Sequence, residues 1–418
     1  MLLLVYFIIL FFLYNFRKQS TPGLYLILIY ILSLLCGLLI GFDFKISTIS
    51  QAFNLFYLAL ILSIFILPWN RFNYKINILD KNPHRVYRLT ILLFFINGIS
   101  FLVFSVASYY AFTTITDFSA FKNNDESGAF FQQLPINHTI YLFAIYLNAT
   151  SYFMIPLHFY YLNKKKYLLS ILSLIFSLNI ILEGLSVFSR SAFVIYLFLY
   201  IFYIPFYYRN MDVKTKRKIK ILAIGVLLLT GNIFYIITSN RFGDYLMYGD
   251  AKYNQSLIQN PELYSIFDYF AQWYKNSGIV MAGYNFETLN GQLSFPFFLT
   301  IADKINLIDY RPDLIVNKLI ALWGIQYDKF NGLIPNLLFD FGYIGTTLFA
   351  LFYSSILQRL KPFNGEISFS KILMLGTMFS LPAMGIFNSS MKSSTYNLVI
   401  IYSFFIYLYL NHKSQNCK

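Results

Sequence analysis

The chain has 418 residues, of which 58% are hydrophobic and only 12% charged, and its formal net charge is +14. Soluble domains carry about 25% charged residues, so this composition excludes an ordinary soluble protein and indicates that lipid covers much of the surface. The basic residues cluster between apolar stretches and no nucleic-acid-binding module is visible, so nucleic acid is not an expected partner. Cys36 and Cys417 suggest neither a disulfide framework nor a metal motif, and we expect no metal and no cofactor.

Eleven apolar stretches reach or approach the length needed to cross the bilayer core, which is about 20 residues for about 30 Å. The first stretch is short, and we interpret it as a retained helix because no basic leader or small-residue cleavage site accompanies it. The predicted fold is therefore an all-α, polytopic transmembrane helical bundle of about 11 spans. The spans lie near residues 2–16, 24–41, 51–68, 89–112, 138–162, 167–184, 191–208, 219–238, 333–357, 371–388 and 394–411.

The basic residues also predict the orientation of the bundle. In alternate loops, 21 of the 32 Lys and Arg residues lie on one side, together with only three of the 18 Asp and Glu residues. Loops rich in Lys and Arg stay in the cytoplasm. We therefore expect a multi-pass membrane protein whose N-terminus is outside and whose C-terminus is cytoplasmic.

The spans divide the chain into a bundle of about eight helices at 1–238, a large external loop at 239–332, and a bundle of about three helices with a cytoplasmic tail at 333–418. A smaller external loop is predicted at 113–137. In the large loop, residues 261–280 and 293–308 carry apolar side chains at spacings of three and four, and Pro296 lies near a helix start. We predict amphipathic helices on the membrane surface, or, alternatively, two loop helices packed on the bundle.

Ionisable residues in or near spans are functional candidates, because lipid penalises a charge that is neither paired nor facing water. Glu183 and Arg190 flank a hairpin so short that both lie at the bilayer edge. One interpretation is a local ion pair that holds the hairpin. In the other, Arg190 binds an anion, because guanidinium groups bind phosphate through two parallel hydrogen bonds, and Ser189 and Ser191 add hydroxyl donors.

Three further external residues are candidates. Arg241 lies at the outer interface, at the depth predicted for Arg190, although a snorkelling anchor gives the same pattern. Arg311, which follows Tyr310, is either a binding residue or an ordinary loop arginine. His138, at the outer end of the fifth span, is the only external histidine; it is either idle at the interface or a general base.

The large loop ends in the motif Asn-x-x-x-Asp-Phe-Gly-x-x-Gly, from Asn336 to Gly345. Asn336 and Asp340 are spaced i, i+4 and share one helix face. Asp340 is predicted to lie about two turns inside an apolar span, which implies a cationic partner, with Arg190 and Arg241 as the candidates. Gly342 and Gly345 are expected to let another helix approach closely. A salt bridge that only fixes packing is the alternative to a chemical role.

The late external loop, the Ser189–Ser191 hairpin around Arg190, and the motif from Asn336 to Gly345 together resemble the bacterial O-antigen and capsule oligosaccharide repeat-unit polymerases. The resemblance covers most of the chain as architecture and two short motifs as sequence. It implies a metal-independent glycosyltransferase of the bacterial inner (plasma) membrane. Such an enzyme moves a growing glycan from one undecaprenyl diphosphate onto the non-reducing sugar of another undecaprenyl-diphosphate-linked oligosaccharide, within the lipid bilayer and with a chain-length regulator protein as a further partner.

The implied chemistry assigns roles to the candidates. The leaving diphosphate needs cations where negative charge develops, and the acceptor hydroxyl needs a base. The diphosphate-binding candidates are Arg190, Arg241 and Arg311. The candidate bases, in order of preference, are Asp340, Glu183 and His138. The supporting residues are Ser189, Ser191, Asn336, Gly342 and Tyr310.

Other functions are compatible with the same architecture. An O-antigen ligase shares the fold but transfers glycan to the lipid A core. A lipid-linked oligosaccharide flippase is a transporter, and such transporters usually have short loops and weak internal repeats; the long loop and the lack of an evident repeat in this sequence argue against one. A purely structural assembly partner is the third alternative.

Overall fold

The computed structural model describes residues 2–16, 21–42, 48–115, 134–209, 211–247, 256–284, 286–312, 314, 315, 319 and 330–412. These residues are mostly helical, and the sheet found among them consists of two short parallel strands. The predicted all-α class is therefore confirmed. Most of the smaller loop predicted at 113–137 lies outside the described residues.

The helices in chain order are α1 (Leu2–Phe16), α2 (Pro22–Leu39), α3 (Ile49–Ile66), α4 (Pro83–Thr114), α5 (His138–Asn148), α6 (Met154–Asn163), α7 (Tyr167–Ser177), α8 (Asn179–Ser186), α9 (Ser191–Tyr208), α10 (Val213–Met247), α11 (Pro261–Gly283), α12 (Pro296–Lys304), α13 (Leu333–Leu360), α14 (Phe369–Ala383) and α15 (Ser394–Asn411). The strands are β1 (Asn77–Leu79) and β2 (Glu366–Ser368). Short 3-10 turns cover Leu67–Arg71, Ala149–Phe153, Met384–Ile386 and Ser390–Lys392.

Helices occupy all of the predicted spans. Among the described residues, eight helices, counted with their adjoining turns, are long and apolar enough to cross a membrane, and α1 is apolar but shorter. The eight coincide with the second to seventh, ninth and tenth predicted spans. The protein is thus a multi-pass membrane protein, while the count of eleven spans and their orientation stay predictions.

Local sequence explains where several helices begin. The Thr21 hydroxyl accepts a hydrogen bond from the Leu24 amide at 3.4 Å before α2, and the Asn260 side chain accepts one from the Leu263 amide at 2.8 Å before α11. These caps satisfy amides that have no partner inside the helix. Both helices then start with proline, whose fixed φ and missing N–H suit the first turn.

The chain folds into two compact units that are each assembled from separated parts of the sequence. Unit 1 contains Met1–Tyr74, Asp250–Phe363 and Met378–Asn397, and unit 2 contains Lys75–Gly249, Asn364–Thr377 and Leu398–Lys418. Most of the large loop therefore belongs to the same unit as the first three helices. The regions predicted from the membrane spans describe position relative to the bilayer rather than compactness, and they stay a prediction.

In unit 1, the loop helix α11 packs on the transmembrane helix α2. The Trp273 indole donates to the Ser33 hydroxyl at 2.5 Å, and that hydroxyl donates to the Phe270 carbonyl at 2.6 Å. The Tyr30 and Trp273 rings meet edge to face with centroids 5.4 Å apart, an arrangement that adds to the burial of both rings. These contacts favour the alternative prediction for residues 261–280, a loop helix packed on the bundle.

Helices α3 and α13 of unit 1 run in the same direction. The Tyr57 hydroxyl donates to the Tyr343 carbonyl at 2.8 Å. Further along α13, the Tyr353 hydroxyl accepts a hydrogen bond at 3.0 Å from the Trp69 indole, which lies in the 3-10 turn that follows α3. The Tyr343 hydroxyl donates to the Asn54 side chain at 3.2 Å, in the second turn of α3. Tyr343 therefore lies level with the beginning of α3, at the end of the span that the basic loops predict to be external.

A sharp kink divides α13 at Gly342, where φ is +65° and ψ is −176°. The kink separates a buried helical segment, 333–341, from the longer segment that follows it. The segment from Leu333 to Leu360 is still one of the eight candidate spans, and Asp340 belongs to the part of it before the kink, so its predicted position inside an apolar span stays a prediction. Gly342 supplies this backbone conformation and also has the Tyr284 hydroxyl 3.2 Å from where a Cβ would lie, whereas a Cβ on Gly345 would lie 2.7 Å from the Phe341 Cβ of the same helix.

Replacing Gly342 by alanine is expected to destabilise the protein by about 1–3 kcal/mol, because this combination of φ and ψ is nearly exclusive to glycine. The added Cβ would also lie 3.2 Å from the Tyr284 hydroxyl. The thermal unfolding midpoint of the purified protein in detergent measures the effect. Gly278→Ala is the matched control, because a Cβ added at that helical position would meet no atom of another segment within 4 Å. Alanine there should be neutral or stabilising by about 0.5–1 kcal/mol. Equal midpoints for Gly342→Ala and the wild type would contradict this prediction.

In unit 2, two predicted spans are interrupted helices. A 3-10 turn at Ala149–Phe153 separates α5 from α6, and a break at Leu178 separates α7 from α8. The sheet pairs Ile78 with Ile367 in parallel, so that two loops with predicted cytoplasmic locations are hydrogen-bonded within this unit.

Candidate functional site

Asp340 is the most deeply buried of the candidate bases. Its Oδ1 accepts a hydrogen bond from the Leu293 backbone amide at 2.9 Å, and the residue is 0% exposed. Its second oxygen, Oδ2, is buried and makes no hydrogen bond of good geometry among the described residues, while the Ser294 hydroxyl and backbone amide lie close enough to interact with the carboxylate. A buried acceptor without a partner is costly. One oxygen therefore holds the carboxylate in place, and the other remains available to a hydrogen-bond donor.

The segment that holds Asp340 is itself fixed by Asn397, in the first turns of α15. The Asn397 amide donates to the Ser294 carbonyl at 3.1 Å, and its side-chain oxygen accepts from the Phe297 backbone amide at 3.3 Å. Ser294 is buried beside the Asp340 carboxylate. Asp340 and Asn397, two residues of unit 1 that are distant in the sequence, thus hold the backbone of residues 293–297 by hydrogen bonds.

Lys392 exerts a weak favourable electrostatic influence on the Asp340 carboxylate. Burial of the carboxylate and its hydrogen-bonding contacts with Ser294 and Leu293 have larger effects. Lys392 ends a 3-10 turn between α14 and α15 and is partly exposed. The sequence prediction had named Arg190 and Arg241 as candidate partners and had not considered this lysine. A buried carboxylate and a partly exposed ammonium can accept a proton and stabilise an anion, respectively.

Asn336 supports the backbone beneath this cluster. Its amide donates to the Gly332 carbonyl at 2.9 Å and to the Asn388 side chain at 3.1 Å. The Asn388 oxygen also accepts from the Asn331 backbone amide at 3.1 Å. Asn336 therefore joins the end of the large loop to the segment that precedes Lys392, which is a positioning role.

Tyr310 and Arg311 have different surroundings. The Tyr310 hydroxyl donates to the Gln292 carbonyl at 3.3 Å, one residue before the amide that holds Asp340. Arg311 is exposed and its Nε lies 3.0 Å from the Asp309 carboxylate. Exposed ion pairs contribute about 0–1 kcal/mol. The structure therefore favours Tyr310 as a supporting residue and Arg311 as an ordinary loop arginine.

Glu183 and Arg190 belong to unit 2, and among the described side chains they do not form the ion pair that one interpretation predicted. The Glu183 carboxylate accepts a short hydrogen bond from the Asn148 amide on α5. Arg190 is 7% exposed; its guanidinium donates to the Thr238 hydroxyl at 3.1 Å and lies 5.4 Å from the Phe234 ring centroid. Glu183 thus connects the first side of the helical hairpin to α5, and Arg190 connects the second side to α10.

Position 241 lies within α10, which continues to Met247 beyond the predicted start of the loop. The Arg241 side chain is outside the described part of the chain. Its backbone position is one turn beyond Thr238, the residue that Arg190 contacts. The helix therefore places the backbone of residue 241 one turn from the residue that Arg190 contacts, and the predicted role of Arg241 stays a prediction.

The remaining candidates lie around the same hairpin. The Ser189 and Ser191 hydroxyls are 2.8 Å apart and bond to each other. His138 is exposed in the first turn of α5, one turn before Tyr141, whose hydroxyl is 2.9 Å from the Ser186 hydroxyl. Gly184 is required here, because a Cβ would lie 2.3 Å from the Ala192 Cβ.

Comparisons with protein-family models, curated proteins and solved structures found no match for this chain. Within the described residues, no three His, Cys, Asp or Glu side chains come together in a way that could hold a metal ion. Function must therefore be inferred from the chemistry of the residues around Asp340 in unit 1 and of those around Arg190 in unit 2.

The sequence interpretation missed Lys392, Ser294 and Asn397 in unit 1, and Asn148 and Thr238 in unit 2. Lys392 had one available signal, since it is a lone cation in a short polar segment between two spans. The other residues are ordinary polar side chains inside or next to apolar stretches. A contact such as that between Phe297 and Asn397 joins residues 100 positions apart, which no local pattern reveals.

Proposed function

We propose that this protein is a glycosyltransferase that polymerises undecaprenyl-diphosphate-linked oligosaccharide repeat units into O-antigen or capsule polysaccharide. The observation that carries the proposal is the buried Asp340 carboxylate, which has one oxygen fixed by Leu293 and a second oxygen beside Ser294 without a well-formed hydrogen bond among the described residues. Lys392 adds a weak electrostatic influence. The predicted orientation places this cluster outside, where lipid-linked glycans are extended. The resemblance to repeat-unit polymerases supports the same assignment.

In the proposed reaction, Asp340 Oδ2 accepts the proton of the acceptor sugar hydroxyl. The hydroxyl oxygen attacks the anomeric carbon of the donor glycan and forms the new glycosidic bond. The bond from that carbon to the diphosphate oxygen breaks, and undecaprenyl diphosphate leaves with the electron pair. Lys392 is positioned to stabilise the negative charge on the leaving group, and holding both substrates in line supplies much of the rate.

Replacing Lys392 by methionine is expected to reduce polymer formation by about 10- to 100-fold, since a hydrogen bond to a charged group contributes about 1.5–3 kcal/mol. Lys392→Arg keeps the charge and should retain most of the activity. The rate of glycan extension in membranes measures both variants. Lys275→Met is the matched control in the same unit, because that ammonium lies 5.8 Å from the Phe42 ring centroid, outside the proposed site. A loss as large in Lys275→Met would show that Lys392 has no special role.

A transporter is the second candidate, and a specific feature of unit 2 favours it. Substrate and ion sites of transporters are often formed where helices are broken inside the membrane. The two interrupted helices of unit 2 carry buried amides: Asn179 donates to the Asn97 carbonyl at 2.9 Å, and Asn148 donates to Glu183. The same network also has a simpler explanation, because it satisfies polar groups that the helix breaks expose.

The glycan ladder of a deletion strain separates these functions. Loss of a polymerase should remove long-chain polysaccharide and leave single repeat units attached to the surface lipid. Loss of a ligase or a flippase should remove all surface glycan. An unchanged ladder in the uncomplemented deletion strain, when the parent strain is shown to express the gene, would contradict the proposed function.

A further inference from the structure

Helix α12 presents its apolar side chains outward. Phe298, Ile301 and Ile305 are 49%, 44% and 60% exposed. Their spacing of three and four places them on one face of the helix. No residue of α12 is buried, and Leu307, just beyond the helix, is 72% exposed. An apolar stripe that faces away from its own protein needs another apolar surface.

The polar residues of α12 face elsewhere. The Asp303 carboxylate accepts a hydrogen bond from the Tyr310 backbone amide at 3.1 Å, and so holds the chain that returns from the helix. Lys304 is exposed in the last turn, three residues after Ile301, at the edge of the apolar stripe, and Thr300 lies on the side of the helix away from the stripe. The helix is therefore amphipathic, with its polar face used by the loop and its apolar face uncovered.

The contacts of α12 within unit 1 indicate the depth at which its apolar face lies. The Phe297 amide, in the first turn of α12, bonds to Asn397 in the first turns of α15, and the preceding Ser294 carbonyl accepts from the same side chain. Leu293 bonds to Asp340 at the end of the 333–341 segment, next to the kink where α13 lies level with the start of α3. The helix thus starts where predicted spans end, which is the depth of the lipid headgroups.

We infer that α12 inserts its Phe298–Ile301–Ile305 face into the outer leaflet of the bilayer and acts as an interfacial anchor. An amphipathic helix at this depth buries its apolar face among the outer ends of the acyl chains. The anchor connects directly to the backbone amide that holds Asp340, so it fixes the carboxylate cluster at the membrane surface. The inference does not depend on the proposed function, since any protein with this loop would have the same anchor.

Brominated lipids test the insertion on the full-length protein. Cys36 and Cys417 are replaced by serine, single cysteines are introduced at Ile301 or Ile305, and a bimane fluorophore is attached. The protein is reconstituted in phosphatidylethanolamine and phosphatidylglycerol vesicles, with or without bromine on the acyl chains. Thr300→Cys is the matched control, because it is a partly exposed position on the polar side of the same helix, roughly 100° or more from each residue of the stripe.

Bimane at 301 and 305 should lose fluorescence in brominated vesicles and emit at shorter wavelength, while bimane at 300 should do neither. Equal quenching at all three positions, or none at 301 and 305, would overturn the inference. A cysteine at 305 that forms a disulfide between two copies of the chain, without quenching by brominated lipid, would assign the face to self-association instead. Because quenching requires no activity, a failed polymerase assay leaves this result readable.

Discussion

Asp340→Asn is expected to lower the rate of glycan polymerisation by about 10²–10⁴-fold, the range that a lost general base produces. The asparagine side chain keeps the shape of aspartate and still offers an oxygen to the Leu293 amide, whose bond to Asp340 is 2.9 Å long. The fold should therefore survive while the proton acceptor is lost. The measurement is the glycan ladder of a deletion strain complemented with the variant, with the amount of protein in the membrane determined in parallel.

Two comparisons make this result specific. Asp340→Ala removes the acceptor of a buried amide and should also destabilise the protein by about 1–3 kcal/mol, so it separates stability from chemistry. Asp309→Asn changes an exposed carboxylate of the same unit that pairs with Arg311, and it should leave the ladder intact. A full-length ladder in the Asp340→Asn strain would exclude Asp340 as the base.

Arg190→Ala is expected to reduce polymerisation by about 10²–10³-fold if its guanidinium stabilises a diphosphate, the effect typical of losing one preorganised donor. Arg190→Lys keeps the charge but loses the planar fork that binds phosphate through two bonds, and it should remain strongly impaired. Surface glycan with single repeat units should persist in both strains. If Arg190→Lys has full activity, bidentate diphosphate binding is not the role of this residue.

The structural alternative for Arg190 has its own control. The guanidinium donates to the Thr238 hydroxyl at 3.1 Å and lies 5.4 Å from the Phe234 ring centroid, so part of a purely structural effect of this arginine would act through the Thr238 bond. Thr238→Val removes the hydroxyl and leaves the guanidinium in place. Losses of equal size in Arg190→Ala and Thr238→Val would indicate a packing role. Arg311→Ala, at an exposed arginine, should have no effect in the same assay.

The helical class and the positions of the spans were predictable, because long apolar stretches in lipid have few alternatives to the helix. The kink at Gly342 was not, since one glycine in an apolar stretch does not reveal a φ of +65°. Its consequence is local: the kink places Asp340 in the short helical segment before Gly342 rather than in one straight helix. The same sequence, Asp-Phe-Gly-Tyr, is compatible with a straight helix and with this one.

The candidate site was predictable only in part. Burial of Asp340 and the need for a cation followed from the cost of a charge in lipid, but the identity of the cation did not. Lys392 lies in a segment that bonds to the end of the large loop through Asn336 and Asn388, and this proximity depends on long-range packing. The pairing of Glu183 with Asn148 instead of Arg190 also depends on α5, which is distant in the sequence from the hairpin.

The divided composition of unit 1 sets the order in which the protein can be completed during synthesis. The Tyr30 hydroxyl, buried in α2, donates to the Pro382 carbonyl, 352 residues later in the chain. Since the N-terminal part of a chain is made first, α2 and α3 are synthesised long before the later segments of unit 1 that pack on them. The Tyr30 hydroxyl therefore stays without this acceptor until nearly the whole polypeptide has left the ribosome.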